Sequence, residues 1–383
     1  MRAGIRGKLI AIVALSGAVP LLAGLVFLAV FGIDSYRAQK GDLYRTVASY
    51  IATRLEQVVG SQVSALDAWT TLSPLTDDMP DPALLPGDKT APTEADLGLD
   101  RRWPALPRED PRVRNVLQGP LADKLKAFQR QYGLLAEILI TDSAGRLLAA
   151  TNKTSDYWQA DEAWWQQARG MPPHTVWMQG VRFDYSAGVY SLDLCAPIRR
   201  HGQDGPVLGV VKAVLEIPRL LRTLQPIRAV AGTRTHVLFP DGEVLTELFA
   251  GYPLPGSRQA APEAADVLKG RRTGWMTGRL FGTETVLTGY APLRLSASAD
   301  RHASVYGVQP MHVVVHRPLA EVMAPVRRQL TQLALFGVGI VLAGLFEGKF
   351  RKGLREGGQL ILISLVMFAV FGSFFGALGL GGL

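Results

Sequence analysis

The sequence predicts an α+β protein in which one long helix precedes two similar antiparallel-sheet modules, with transmembrane helices flanking this region. Three observations support this fold class. Apolar residues recur at helical spacing from Leu43 to Trp69, a hairpin pattern occurs twice further along the chain, and nearly uncharged stretches lie near both ends. The chain is therefore expected to be anchored in a membrane, with its main part folded outside the lipid.

The first element is a predicted transmembrane helix at residues 9–33. The apolar stretch from Ile10 to Ile33 covers roughly 36 Å at about 1.5 Å per residue, enough to cross a hydrocarbon core of about 30 Å. Arg2, Arg6 and Lys8 precede it, so the positive-inside rule places the N-terminus in the cytoplasm. A cleaved signal peptide also fits this start; we favour an uncleaved anchor because the apolar stretch is long.

Two further spans are predicted near the C-terminus, at residues 330–346 and 360–380. The first of them covers only about 26 Å, near the lower limit for a bilayer. The loop between them, residues 347–359, contains several basic residues from Lys349 to Arg355, as cytoplasmic loops do. This charge pattern places the region between the first two spans, and the C-terminus, outside the cytoplasm.

A single helix of about 35 residues is predicted directly after the first span, within residues 34–73. Its apolar positions are Leu43, Val47, Ile51, Leu55, Val58, Val63, Leu66 and Trp69. Two interpretations stay open: the helix packs on its own modules, or it pairs with a second copy as a dimer stalk. Residues 74–111 follow and contain eight prolines, so they are predicted to form a loop without helix or strand.

The remaining chain contains an internal duplication. The segments Ala136 to Ala150 and Arg234 to Leu248 each read as two apolar runs around a turn that contains Asp and Gly, where positive φ angles are expected. Later, Leu192 to Ile198 is echoed by Leu287 to Leu293. Each echo is followed by a polar turn and another predicted strand, Val207 to Ile217 in the first case and Val305 to His316 in the second. Two α+β modules in tandem are the simplest architecture.

Three segments resemble the double Cache sensors of bacterial chemoreceptors and sensor histidine kinases. They are Thr141 to Thr151 (TDSAGRLLAAT), Asp156 to Ala168 (DYWQADEAWWQQA) and the stretch from Ala196 to Val211. The resemblance covers about residues 35–318. It implies a membrane-distal PAS-like module at residues 112–218 (the first module) and a membrane-proximal one at residues 219–318 (the second module), with ligand held in the first.

Candidate ligand-binding residues cluster in the first module. Aromatic rings supply apolar contact area, while a few polar groups orient a small molecule. The candidates are Tyr157, Asp161, Trp164, Trp165, Trp177, Arg182, Asp184, Tyr185 and Tyr190. One of the adjacent tryptophans is expected to anchor the core instead, and strand alternation turns about half of the later residues away from the site.

The resemblance also bears on ligand chemistry. Amino-acid-binding members of the family carry an Arg two residues before the Trp-aromatic pair, where this chain has Glu162, and an Asp after the VLGV turn, where it has Val211. Both charge anchors for an α-amino acid are therefore missing. Glu162 leaves room for a cationic or polyhydroxylated ligand.

Other functions find little support in the sequence. There is no zinc-protease, nucleophile-elbow, phosphate-loop or kinase motif, and the six histidines are dispersed, so we expect neither an enzyme nor a cofactor. The single cysteine, Cys195, lies in an apolar strand-like run and is expected to be buried. The net charge of +8 is scattered and flanks the spans, so nucleic acid is not an expected partner.

The expected function is that of a sensory protein of the bacterial inner membrane. Its periplasmic domain would bind a small molecule, and it would act as a homodimer. Because no output domain follows the predicted spans, a separate signalling partner in the membrane or cytoplasm is expected, unless the chain is a truncated receptor. The alternative is a membrane-anchored scaffold or accessory subunit whose Cache fold binds protein.

Overall fold

The computed structural model describes most of the region between the predicted spans. The described residues are 19, 23–24, 26–27, 31–71, 73–80, 92–200, 205–223, 230, 232–239, 243–246, 259–260, 262–295, 303–307 and 311–350. Within these ranges no helix is both long and apolar enough to cross a membrane. Of the predicted spans, 9–33 lies mostly and 360–380 wholly outside the described residues.

The long helix predicted after the first span is present as α1, Ile33–Thr71. The middle of its apolar stripe, including Ile51, Leu55, Val63 and Leu66, is almost fully buried within the protomer. The opposite side is exposed and mostly polar, although it also includes the exposed side chains of Leu43 and Tyr50. Of the two interpretations, the structure therefore supports a helix packed on its own domain, and pairing with a second copy stays a prediction.

The proline-rich segment is partly helical, which corrects the predicted loop at residues 74–111. Its elements are α2, Ser73–Thr76, α3, Glu94–Arg102, and a 3₁₀ turn, Trp103–Ala105. Helix α3 forms in a window without proline. It begins with a capping box in which the Thr93 hydroxyl accepts from the Asp96 backbone N–H, while the Asp96 carboxylate accepts from the Thr93 backbone N–H. Residues 81–91 lie outside the described part of the chain.

The first sheet is mixed and has six strands, in the order β11-β3-β4-β5-β1-β2. Its strands are β1, Leu135–Asp142, β2, Leu147–Ala150, β3, Thr175–Asp184, β4, Val189–Arg199, β5, Val207–Glu216, and β11, Ser304–Tyr306. Helices α4, Pro111–Leu117, and α5, Pro120–Tyr132, precede it, and α6, Ala163–Arg169, lies between β2 and β3. The first predicted hairpin is confirmed, with Gly145 at φ +93° in its turn.

The second sheet also has six strands, in the order β8-β7-β6-β12-β10-β9. Its strands are β6, Arg234–Leu238, β7, Glu243–Thr246, β8, Gln259–Ala260, β9, Gly274–Gly278, β10, Val286–Leu293, and β12, Met311–Pro318. Helix α7, Ile217–Arg222, lies between the two sheets in the sequence, and α8, Pro262–Leu268, precedes β9. The hairpin predicted from the duplication is present as β6 and β7, which pair antiparallel.

Two further helices, α9, Leu319–Val322, and α10, Ala324–Phe350, follow the second sheet. The predicted second span, Leu330 to Phe346, falls within α10 and is not confirmed by the structure. Both sheets lie almost wholly in one compact unit, residues 44–284 and 288–316. The other described residues, which include α9 and α10, belong to a second unit.

The stretch from Val305 to His316 is not one strand, which corrects a second prediction. Its first part, β11, runs parallel to β3 at the edge of the first sheet, whereas β12 runs antiparallel to β6 in the second sheet. Gly307 ends β11 with φ +85°, and a side chain there would place its Cβ 2.6 Å from the Met178 carbonyl oxygen. The close contact and the positive φ angle both require glycine, and this φ angle ends the extended conformation of β11.

Candidate ligand-binding site

An aromatic cluster covers one face of the first sheet. Trp103, Trp164 and Trp165 are buried in it, and Tyr157 and Trp177 pack against it from partly buried positions. Helix α6 supplies the adjacent tryptophans. Both rings are buried in the core, whereas only one of them was expected there. The indole N–H of Trp165 donates to the Thr141 hydroxyl at 2.8 Å, which satisfies the polar atom that this large ring buries.

Helix α3 orients the segment that carries Tyr157. One carboxylate oxygen of Asp100 accepts from the backbone N–H groups of Tyr157 and Trp158, both at 2.8 Å. The indole N–H of Trp103 donates to the Thr154 carbonyl oxygen at 3.1 Å. Burial raises the pKa of Tyr157 to about 12, so its hydroxyl stays neutral. The proline-rich segment is therefore part of the site's framework.

A buried charge cluster lies on the same face of the sheet. Alternation along antiparallel strands brings Asp193 of β4, Lys212 of β5 and the β3 residues Arg182 and Asp184 onto this face. The Lys212 ammonium lies 3.0 Å from Asp184 Oδ2 and 3.2 Å from Asp193 Oδ2. The Arg182 guanidinium lies 2.9 Å from Asp193 Oδ2. Buried charges require such partners, and these four side chains provide them for one another.

Each carboxylate of this cluster is also held by neutral donors. The Ser186 hydroxyl and the Ala187 backbone N–H donate to Asp184 Oδ1 at 2.7 and 2.9 Å. The Ser191 hydroxyl donates to Asp193 Oδ1 at 2.8 Å. Burial opposes ionisation of Asp184, but the Lys212 charge and these hydrogen bonds leave its pKa below the ordinary value. Each carboxylate therefore has neutral hydrogen-bond donors in addition to its ion pairs.

Glu137 of β1 is the least satisfied member of the cluster. The residue has no exposed surface, and its Oε1 accepts from the Ser186 hydroxyl at 3.1 Å. Its Oε2 is buried and has no hydrogen-bond partner within the described residues. Burial, together with the nearby Asp184 charge, raises the pKa of Glu137 to about 7. This carboxyl group is therefore harder to ionise than an ordinary glutamate.

Lys212 joins the charged and aromatic clusters. Its ammonium lies 5.6 Å from the centroid of the Trp164 ring, in cation–π geometry. Burial opposes its charge, but Asp193 and Asp184 raise its pKa above the ordinary value, so it stays protonated. Cys195, directly opposite Lys212 in the sheet, is buried as expected, and burial raises the pKa of its thiol.

The structure brings together six of the nine predicted site residues. Tyr157, Trp164, Trp165, Trp177, Arg182 and Asp184 belong to the two joined clusters. Tyr190 packs edge-on against Phe183, whose ring also contacts Tyr185. Asp161 is exposed, and Tyr185 is 87% exposed, so neither lies within the clusters.

Sequence reasoning missed Glu137, Asp193 and Lys212. Each is a charged residue in the interior of a strand with an apolar residue on either side, and two acids with one base in neighbouring strands is the signal that identifies them. Val211 was compared with the amine-binding position of amino-acid sensors, but its side chain does not face the site. Val211 is directly opposite Ala196, on the other side of the sheet from Cys195, and Lys212 is the β5 residue that faces the site.

A second buried polar group lies in the second sheet. The Nε2 atoms of His236 and His316 are 2.7 Å apart, and the Phe281 ring stacks on His316 with 4.4 Å between centroids. Burial lowers the pKa of His236 to about 3 and that of His316 to about 4, so one neutral imidazole donates to the other. Across the described part of the chain, no three His, Cys, Asp or Glu side chains are placed to share a metal ion.

Comparisons with known proteins show the fold of this chain. No protein-family model matches the sequence, and no curated protein is similar enough to match. Among solved structures, the extracellular domain of vpHK1S-Z8, described as a histidine kinase, is 12% identical with a TM-score of 0.51, covering 78% of this chain and 99% of that one. The ligand-binding domain of the Campylobacter jejuni chemoreceptor Tlp3, solved with L-norvaline, is 11% identical with a TM-score of 0.50, covering 75% and 94%.

Proposed function

The chain has the double Cache fold of these extracellular sensor domains, and from this premise we propose that it is a membrane-bound sensory protein whose extracytoplasmic domain binds a small molecule. The observation that carries the proposal is the pair of joined clusters on one face of the first sheet. Buried charges are costly and contribute little net stability compared with apolar packing. Their presence beside four partly or fully buried indole rings supports a recognition site for a polar ligand.

The proposed ligand lies between the Tyr157 to Trp165 segment and the strands that carry Arg182, Asp184 and Tyr190. The domain of Tlp3 was solved with an amino acid, L-norvaline. We propose a different ligand here, because Glu162 stands where amino-acid-binding members carry the carboxylate-binding arginine and Val211 where they carry the amine-binding Asp. Both charge anchors of an α-amino acid are therefore missing from these two positions.

Membrane attachment completes the proposal. We propose three spans, at residues 9–33, 330–346 and 360–380, with the domain in the periplasm and the C-terminus outside the cytoplasm, because basic residues flank these stretches. Alkaline phosphatase fused after Leu383 should be active. An inactive fusion, with a cytoplasmic reporter active at the same position, would contradict the third span. We also propose that the protein forms a homodimer and passes its signal to a separate signalling partner.

A metabolite screen tests the sensory function. Purified full-length protein is heated with each compound, and a saturable rise in the unfolding midpoint identifies a ligand. Arg182→Gln, which alters the half-exposed edge of the charge cluster, should then weaken binding at least tenfold. Tyr185→Ala is the matched control, because this ring is 87% exposed and outside the clusters. A library without any stabilising compound would favour the scaffold alternative, and a ligand unaffected by Arg182→Gln would place the site elsewhere.

A further inference from the structure

The Lys212 side chain occupies a position with the chemistry of an ammonium-binding site. Its ammonium is approached by one carboxylate from β3, at 3.0 Å, and another from β4, at 3.2 Å. The Trp164 ring of α6 lies beside it, 5.6 Å from nitrogen to centroid. Carboxylates combined with the face of an indole are the groups with which proteins bind the ammonium group of a ligand. Here the ammonium belongs to the chain itself.

Each of the two carboxylates has other partners besides Lys212. Asp184 Oδ1 is held by the Ser186 hydroxyl and a backbone N–H, while its Oδ2 faces Lys212. Asp193 Oδ1 is held by the Ser191 hydroxyl, and Arg182 contacts its Oδ2 from the other side. Removal of the lysine would therefore leave two oriented carboxylates and an indole face.

A second observation also indicates that the cluster accepts cations. Glu137 is fully buried on the same face, shares the Ser186 hydroxyl with Asp184, and has an Oε2 atom without a hydrogen-bond partner in the described chain. With Glu137 ionised, three carboxylates face two cations. The added negative charge favours a positive group beside it.

We propose that the first module contains a binding site for a primary ammonium group, formed by Asp184, Asp193 and Trp164, and that Lys212 is its built-in occupant. The natural ligand therefore does not use an ammonium group at this position, which excludes α-amino acids and simple amines from it. The inference rests on the proposed function only in treating this face as the ligand site. A shortened side chain at position 212 would open the site to free alkylammonium ions.

Chemical rescue tests the occupant directly. Lys212→Ala deletes the atoms from Cγ to Nζ, which are those of n-propylammonium. The full-length variant should unfold at a lower temperature than the wild type. n-Propylammonium chloride should raise its midpoint by about 3 °C at ten times the Kd. The wild type should not respond, because its site is filled.

Two controls separate charge from space filling. n-Propanol has the same size without the charge and should not rescue Lys212→Ala. Lys212→Met fills most of the space with an apolar chain and should not respond to n-propylammonium. Equal stabilisation of Lys212→Ala by the alcohol and the amine, or no stabilisation by either, would overturn the proposal.

The test remains decisive if Lys212→Ala folds poorly. The amount of soluble protein recovered after refolding with n-propylammonium is then compared with the amount recovered with n-propanol, and equal recovery would overturn the proposal. Rescue requires no natural ligand. A metabolite screen without hits and a positive rescue would contradict the sensory function alone, whereas a hit and a failed rescue would contradict only the built-in occupant.

Discussion

The two sheets bury ionisable groups in opposite ways. In the first sheet, Lys212 is charged and lies between two carboxylates. In the second sheet, His236 and His316 are equally buried but neutral, and they share one hydrogen bond beneath Phe281. A buried ionisable group stays charged only where opposite charges lie beside it, and without them its neutral form is favoured. The first sheet therefore buries charged groups that neutralise one another, whereas the second buries neutral imidazoles.

The two arrangements also predict opposite responses to pH. The raised pKa of Glu137 means that the folded state holds a proton which the unfolded state loses above about pH 4.5, so stability falls as the pH rises from there to about 7. The pKa values of the two histidines are lowered in the folded state, so below about pH 6.5 these residues bind protons in the unfolded state but stay neutral in the folded state. Stability therefore also falls as the pH drops below 6.5.

The largest expected effect comes from breaking the charge pairing in the first sheet. Asp193→Ala leaves Lys212 and Arg182 with one carboxylate between them, and removal of one partner of a buried ion pair costs about 3–5 kcal/mol. The free energy of unfolding, measured with urea near pH 7, should fall by that amount. Asp161→Ala, an exposed carboxylate of the same module, should change it by less than about 0.5 kcal/mol. Equal effects of the two substitutions would mean that the cluster is solvated.

The next largest effect is expected in the second sheet under acid. At pH 5, 1.5 units below the ordinary pKa of histidine, refusal of a proton costs about 2 kcal/mol for each imidazole. The double variant His236→Leu/His316→Leu replaces both partners with apolar groups, so it should lose about 4 kcal/mol less than the wild type between pH 8 and pH 5. Arg234, directly opposite His316, adds a positive charge that opposes protonation. Parallel pH profiles of the two proteins would show that the pair is protonated in the folded state.

Glu137→Gln tests the opposite slope in the first sheet. Raising a carboxyl pKa from 4.5 to about 7 corresponds to about 3 kcal/mol of destabilisation once the group is ionised. The glutamine variant should therefore gain up to about 3 kcal/mol on the wild type between pH 4 and pH 8. The difference between their unfolding free energies along this series is the measurement. A constant difference would indicate that Glu137 has an ordinary pKa and that Oε2 meets solvent.

Local patterns in the sequence predicted much of the fold. The spacing from Leu43 to Trp69 gave the position of α1, because an apolar stripe of that length is specific to helices. The turn glycine Gly145 marked the first hairpin, because its φ of +93° is unfavourable for other residues. In the site, the aromatic residues were recognisable because Trp164 and Trp165 stand adjacent within a polar segment.

The sequence could not predict what depends on contacts between distant segments. β11 joins the first sheet although it is separated from β3 by more than a hundred residues, and nothing in its three residues specifies that partner. Helix α3 was not predicted, because the surrounding prolines indicated a loop even though a capping box begins at Thr93. Lys212 was not predicted for a related reason, because its ion pairs involve carboxylates of two other strands.

The smallest expected effect sharpens the comparison by isolating a neutral hydrogen bond in the first module. Trp165 donates to Thr141 at 2.8 Å in a buried position, without any charge involved. A double-mutant cycle of Trp165→Phe and Thr141→Val removes this bond while retaining most of the buried area, and its coupling energy should be about 1 kcal/mol. This value should not change between pH 5 and pH 8, in contrast to the variants of Glu137 and the histidine pair. A coupling energy that follows pH would mean that the aromatic and charged clusters respond as one unit, and that Lys212 transmits the protonation of Glu137 to the tryptophans.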